Sequence, residues 1–162
     1  MAPLPPFPWI DVAIILTLVA LNGVFAMSEL AIVSARRARL EGKAKTSRGA
    51  RAALDLAADP GKFLSTVQIG ITLIGVLTGA YSGASLGGPV AARLAALGLA
   101  PATAETLGFA LVIGLTTYVS LIVGELVPKQ FALRAPEAVA SIVAVPMQWL
   151  AKGTAPDRKS VV

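Results

Sequence analysis

Long apolar runs separated by short polar connections dominate the chain, and they predict helices that cross a bilayer. Asp11 to Val33 is almost wholly apolar, long enough at 1.5 Å per residue to cross about 30 Å of hydrocarbon. The pattern predicts spans over residues 11–34, 63–82 and 104–127, the last with Thr103 as N-cap. Residues 35–60 read as a polar helical pair. Within it, Ser47 to Ala58 sets Ala50, Ala53, Leu54 and Ala57 on one side, and Asp59-Pro60 reads as an N-cap followed by proline at the first helical position. Gly75, Gly79, Gly83 and Gly87 recur every four residues, a stripe that lets helix backbones approach closely. Glycine also weakens helices, so the chain past Gly83 is expected to become loop, followed by a short interfacial helix from Pro89 to Leu97. Pro128 is expected to break the third span. Pro136 then restarts a helix over 136–151, about 24 Å long and interrupted by Pro146, too short to span. It reads as a juxtamembrane helix anchored by Trp149 and Lys152, as Trp9 anchors the first span. The final APDRKSVV carries no fold signal.

Composition supports an all-α membrane protein. The chain is 56% hydrophobic and 14% charged, outside the range of ordinary soluble domains. The absence of cysteine and histidine excludes disulfides, His-based triads and H-E-x-x-H zinc sites. Neither a phosphate-binding glycine loop nor a nucleophile–base pair is visible, so the chain is not expected to be an enzyme. The first ten residues have four prolines and no basic side chain, unlike a secretory signal.

Charge placement sets the expected topology. Seven of the fourteen basic residues fall between Arg36 and Arg51, opposed by Glu41 alone. They flank apolar spans, which favours a cytoplasmic loop over nucleic-acid binding. Three spans then run N-terminus outside, basic helices inside, and C-terminus inside.

The candidate chemistry lies in GLTTYVSLIVGELVPK, Gly114 to Lys129. A carboxylate in an apolar span costs roughly 2.5 kcal/mol or more, so Glu125 needs a partner or a task. Pro128 cannot donate to the Gly124 carbonyl, leaving that oxygen open to a cation. The competing account pairs Glu125 with Lys129, at i+4, or with Arg134. In the first span Asn22, Ala26 and Glu29 share a helical face, and an intramembrane amide there points into protein. Whether Asn22 binds a ligand or bridges two helices is open at this point. Gln68 and Thr72 form a polar i, i+4 pair in the second span.

Three segments, LNGVFAMSELAIVSARRARL, DPGKFLSTVQIGITL and GELVPKQFALRAPEAVA, resemble the transmembrane domain of the cyclin M (CNNM)/CorC transporters over about Asp11 to Leu150. The resemblance implies a homodimer with three spans per subunit, a basic cytoplasmic-side helical pair and a juxtamembrane helix. It implies export of a divalent cation, Mg²⁺ or Co²⁺, across the bacterial inner membrane, with Na⁺ as a coupling ion. Cytoplasmic CBS-pair and CorC domains follow in full-length members, so the chain looks like the membrane domain of a longer protein. Glu125 of the G-E-x-x-P-K motif matches the family's ion-binding carboxylate. Asn22 and Ala26 match first-span ligand positions, Ala26 through its backbone carbonyl only. Where many relatives carry G-N in the second span, this chain has Gly70-Ile71, which leaves Thr72 or Gln68 to stand in. An organic-cation (polyamine) exporter or a membrane scaffold of the same fold is the alternative. Mg²⁺ accepts one carboxylate with carbonyl oxygens and retained waters.

Overall fold

The computed structural model describes residues 4–153, and the terminal segment without fold signal lies outside them. α1 runs Trp9–Ser34, α2 Arg37–Ala44, α3 Arg48–Ala58 and α4 Pro60–Ala96. α5 (Pro101–Leu121) continues through a π-helical turn (Ile122–Leu126) into α6 (Val127–Arg134), and α7 is Pro136–Gly153. No strand occurs among the described residues. Three helices are long and apolar enough to cross a membrane: Trp9–Ser34, Pro60–Ala96 and Pro101–Arg134. The protein is thus a multi-pass, all-helical membrane protein.

The polar caps act as the local sequence dictates. Ser47 Oγ accepts from the Ala50 amide at 3.2 Å, and Asp59 Oδ1 accepts from the Lys62 amide at 3.2 Å ahead of Pro60. The buried face of α3 is Ala50, Ala52, Ala53 and Leu56. Leu54 and Ala57, expected on that face, are only half-buried at its edge.

Three boundaries differ from the sequence expectation. α4 neither loosens after Gly83 nor restarts at Pro89; it is one helix of 37 residues with Pro89 inside it. The reason is tertiary. Phe109 of α5 lies against Gly83 and Gly87, and a Cβ on Gly108 would come within 2.8 Å of the Ala91 amide nitrogen. The glycine stripe is therefore partly spent on a close α4–α5 crossing, whose burial offsets glycine's helical cost of up to about 1 kcal/mol each. Arg93 bonds the Pro89 and Pro5 carbonyls at 2.7 and 3.1 Å and covers the Phe7 ring. The second boundary is the start of the third span, which is Pro101 after Ala100 rather than Ala104 after Thr103. Proline at the first helical position begins the helix without a side-chain cap. Last, Pro128 widens the third span into a π turn without ending it.

Among the described residues, a contiguous core sits where α2, α3 and α7 pack against the ends of the spans. It joins Ala31 and Ile32 of α1, Leu40 of α2, Ala50 and Ala53 of α3, Phe63 and Val67 of α4, Ala132 of α6, and Ala140, Ala144 and Met147 of α7. Alanine predominates because these helices approach closely. Glu137 ties α7 to the start of α2: its Oε1 accepts from the Arg36 amide at 3.4 Å and its Oε2 lies 3.9 Å from Arg39 Nη1.

Hydrogen bonding from its own backbone amide, with help from the Arg36 amide and the nearby Arg39 and Arg36 charges, outweighs burial and holds the Glu137 carboxyl below the usual glutamate range. A depressed folded-state pKa gives stability that is present above the unfolded value, about 4.3, and is lost as pH falls through the folded value. Acidification through that window is therefore expected to lower the melting temperature of the wild-type chain more than that of Glu137→Gln. Equal losses in detergent melting scans would show that Glu137 contributes no such term.

Candidate functional site

The irregular turn of the third span organises the site. Pro128 has no amide hydrogen, so the carbonyl of Gly124 lacks its helical donor. The sequence expectation left this oxygen to a cation. Asn22 takes it instead: Nδ2 donates to Gly124 O at 3.0 Å. Two glycines permit that approach. A Cβ on Gly124 would lie 3.1 Å from Val19 O, and one on Gly23 would lie 3.0 Å from Pro128 Cγ.

The bond has a chemical consequence. A carbonyl only accepts, so the amide nitrogen of Asn22 must face Gly124 and its oxygen must face elsewhere. Asn22 is 5% exposed, and its buried Oδ1 has no hydrogen-bond partner among the described residues. Leaving such an acceptor unpaired costs about 1–3 kcal/mol. Asn22 also lines a cavity of about 260 Å³, together with Thr78 of α4, Thr116, Thr117 and Ser120 of α5, and Glu125. The Thr78 hydroxyl donates to Ile74 O at 2.7 Å, leaving its oxygen lone pairs available to a cation. The polar residues of this lining carry four side-chain hydroxyls, one amide and one carboxylate.

Glu125 is already engaged. Lys129 Nζ donates to Glu125 Oε1 at 2.8 Å and lies 3.6 Å from Glu29 Oε2. The side chains of Glu29, Lys129 and Glu125 are 23%, 29% and 32% exposed. Lys129, rather than Arg134, is thus the basic partner. Glu29, noted in the sequence for its helical face, joins the network through Lys129.

Of the residues singled out in the sequence, Asn22, Gly124 and Glu125 come together, with Pro128 and Lys129 directly behind them. Ala26 is completely buried but does not line the cavity, and its carbonyl lies within the uninterrupted helix α1. Gln68 and Thr72 are exposed and do not line it either. The second span contributes Thr78 in their place. Ile71, Gly75, Thr78 and Gly79 line the cavity and share one face of α4, whereas Thr72 is turned about 100° from Ile71. The i, i+4 rows Thr117–Leu121–Glu125 and Thr116–Ser120–Gly124 were readable in the third span and point to the same hydroxyls. No group of three or more acidic side chains able to hold a metal occurs among the described residues, so neutral oxygens must supply most of any ion's shell.

Comparison with known proteins agrees with this architecture. Residues 13–160 match the family described as the cyclin M transmembrane N-terminal domain. UPF0053 protein sll0260 of Synechocystis sp. is 51% identical over 148 residues, covering 91% of this chain and 33% of that protein. UPF0053 protein YhdT of Bacillus subtilis is 32% identical over 158 residues, covering 85% and 32%. A protein of Escherichia coli named "Polyamine export protein" is 30% identical over 140 residues, covering 86% and 31%. The chain thus spans about a third of the length of these curated relatives. With three helices able to span a membrane and a family match over nearly its whole length, the chain belongs to the cyclin M transmembrane domain family.

Proposed function

We propose that the chain is the membrane domain of a secondary-active exporter of Mg²⁺ or a similar divalent cation, with Glu125 as the charged ligand. The observation that carries this reading is the Asn22 amide. Its nitrogen is committed to Gly124 and its buried oxygen has no partner among the described residues, in a residue that lines the Glu125 cavity. A cation among these oxygens would remove the cost of the unpaired acceptor. The volume of about 260 Å³ leaves room for retained waters, each taking about 30 Å³, as Mg²⁺ prefers. Ala26, Gln68 and Thr72 take no part in this version of the site, and Thr78, Thr116, Thr117 and Ser120 do. Inward Na⁺ is the proposed driving ion and a homodimer the proposed assembly.

A polyamine cargo is the second reading. It is favoured by the Escherichia coli relative's name and by a cavity with one carboxylate among neutral acceptors. Titrating Mg²⁺ and, separately, spermidine into the detergent-purified chain tests both. Saturable Mg²⁺ binding that spermidine does not displace is the expected result. Saturable spermidine binding without Mg²⁺ binding would replace the metal reading, and binding of neither would remove the cation site altogether.

The basic residues of α2 and α3 support an orientation with these helices in the cytoplasm of a bacterial inner membrane and the N-terminus outside. The chain has no cysteine, so single cysteines report cleanly. An impermeant thiol reagent applied to intact cells is expected to label Pro5→Cys and to spare Ser47→Cys; the reverse pattern inverts the topology.

A further inference from the structure

We propose that Lys129 is a tethered counter-ion that occupies Glu125 in the empty site and moves onto Glu29 when a cation arrives. The inference rests on Glu125 being a cation ligand, and it adds a positioning role for Lys129 and Glu29. Its basis is the geometry of three charges on two helices. Lys129 Nζ sits 2.8 Å from Glu125 Oε1 and 3.6 Å from Glu29 Oε2, so a single ammonium bridges a carboxylate that lines the cavity and one that does not.

Two features make the bridge a switch. Lysine carries a compact charge on a flexible four-carbon stem, so its ammonium can pass between the two carboxylates without backbone movement. A rigid point of support lies beside it: Pro128 Cγ is 3.0 Å from where a Gly23 Cβ would be, which holds α6 against α1 and keeps Glu29 within reach. In an apolar span, a charge stripped of its partner is strongly disfavoured. With Glu29 present, no charge is stripped at either stage. In the empty site Lys129 neutralises Glu125 and stays close to Glu29. In the loaded site the cation faces Glu125 and the Asn22 oxygen, while Lys129 neutralises Glu29. The i, i+4 order of Glu125 and Lys129 favours the closed pair, so the ammonium competes with cargo for the same oxygens.

Competition lowers apparent affinity by the fraction of molecules in which Glu125 is free. If that fraction is about one in ten, Lys129→Met raises the Mg²⁺ affinity of the purified chain roughly tenfold. Glu29→Gln has the opposite sign: deprived of its second carboxylate, Lys129 holds Glu125 harder, and affinity falls several-fold. The decisive measurement is the double variant. If Glu29 acts through Lys129, Glu29→Gln changes affinity little once Lys129 is methionine. If Glu29 merely adds negative charge, its loss weakens binding equally in both backgrounds, and that result overturns the switch. An unchanged or lowered affinity in Lys129→Met overturns it as well. Lys129→Gln, which can still hydrogen-bond both carboxylates, serves as a second variant in case Lys129→Met does not fold. Melting temperature without cation is an independent readout: Lys129→Met is expected to melt lower than wild type and to gain more from Mg²⁺. Wild-type Mg²⁺ affinity in Glu125→Gln is a different outcome, which removes the underlying cation site and this inference with it.

Discussion

Glu125→Gln is expected to lower Mg²⁺ affinity by about a hundredfold or more and to abolish efflux while leaving the fold intact. Among the described residues, Glu125 is the only charged side chain lining the cavity. At an effective dielectric constant near 20, one unit charge about 4 Å from another interacts by about 4 kcal/mol. For a divalent ion the attraction doubles, and desolvation takes part of it back. A net loss of about 2.7 kcal/mol corresponds to a hundredfold. The fold survives because Lys129 is not orphaned: Glu29 Oε2 already lies 3.6 Å away. Calorimetry and melting scans on the same sample separate the two effects. If Glu125 serves only as the partner of Lys129, binding is unchanged by the substitution.

Gly49→Ala is expected to loosen the juxtamembrane layer and to lower the melting temperature by roughly 5–10 °C. A Cβ at Gly49 would lie 1.8 Å from Ser141 O and 2.8 Å from Ser141 C, both backbone atoms that no rotamer change can move. α3 and α7 must separate to admit it, and Ala50, Ala53, Ala140 and Ala144, all fully buried, lose their packing. Overpacking of this kind costs about 1–3 kcal/mol, and in a chain of this length each kcal/mol shifts melting by about 2–4 °C. Gly42→Ala in α2 is the control, because nothing lies within 4 Å of its Cβ position. Alanine there should leave stability unchanged or raise it by up to about 1 kcal/mol through helix propensity. Similar melting of the two variants would mean that α3 and α7 are not in backbone contact.

The same contrast shows what kind of information a linear pattern holds. Gly42 and Gly49 are indistinguishable as letters, and only the approach of Ser141 separates them. The stripe at Gly75, Gly79, Gly83 and Gly87 divides in the same way. Gly83 and Gly87 lie against Phe109, whereas Gly75 and Gly79 line the cavity with open space at their Cβ positions. Asn22 was conspicuous as an amide in an apolar run. Its orientation follows only from the Gly124 carbonyl, 102 residues further along the chain.

Apolar run length, capping residues and the position of basic side chains determine the three spans, the helical pair and the juxtamembrane helix, because hydrophobic partitioning and capping act over one to a few turns of the chain itself. A carboxylate beside Pro128 marks the chemistry for the same local reason: the cost of a charge in an apolar span and the loss of one backbone donor are both properties of a few adjacent residues. Tertiary structure decided whether α4 continues through its glycines, which oxygens line the cavity, and which carboxylate shares Lys129. Each of these depends on how closely two helices distant in sequence approach and on their rotation about their axes. A rotation of one residue, about 100°, is what places Ile71 rather than Thr72 in the wall of the site.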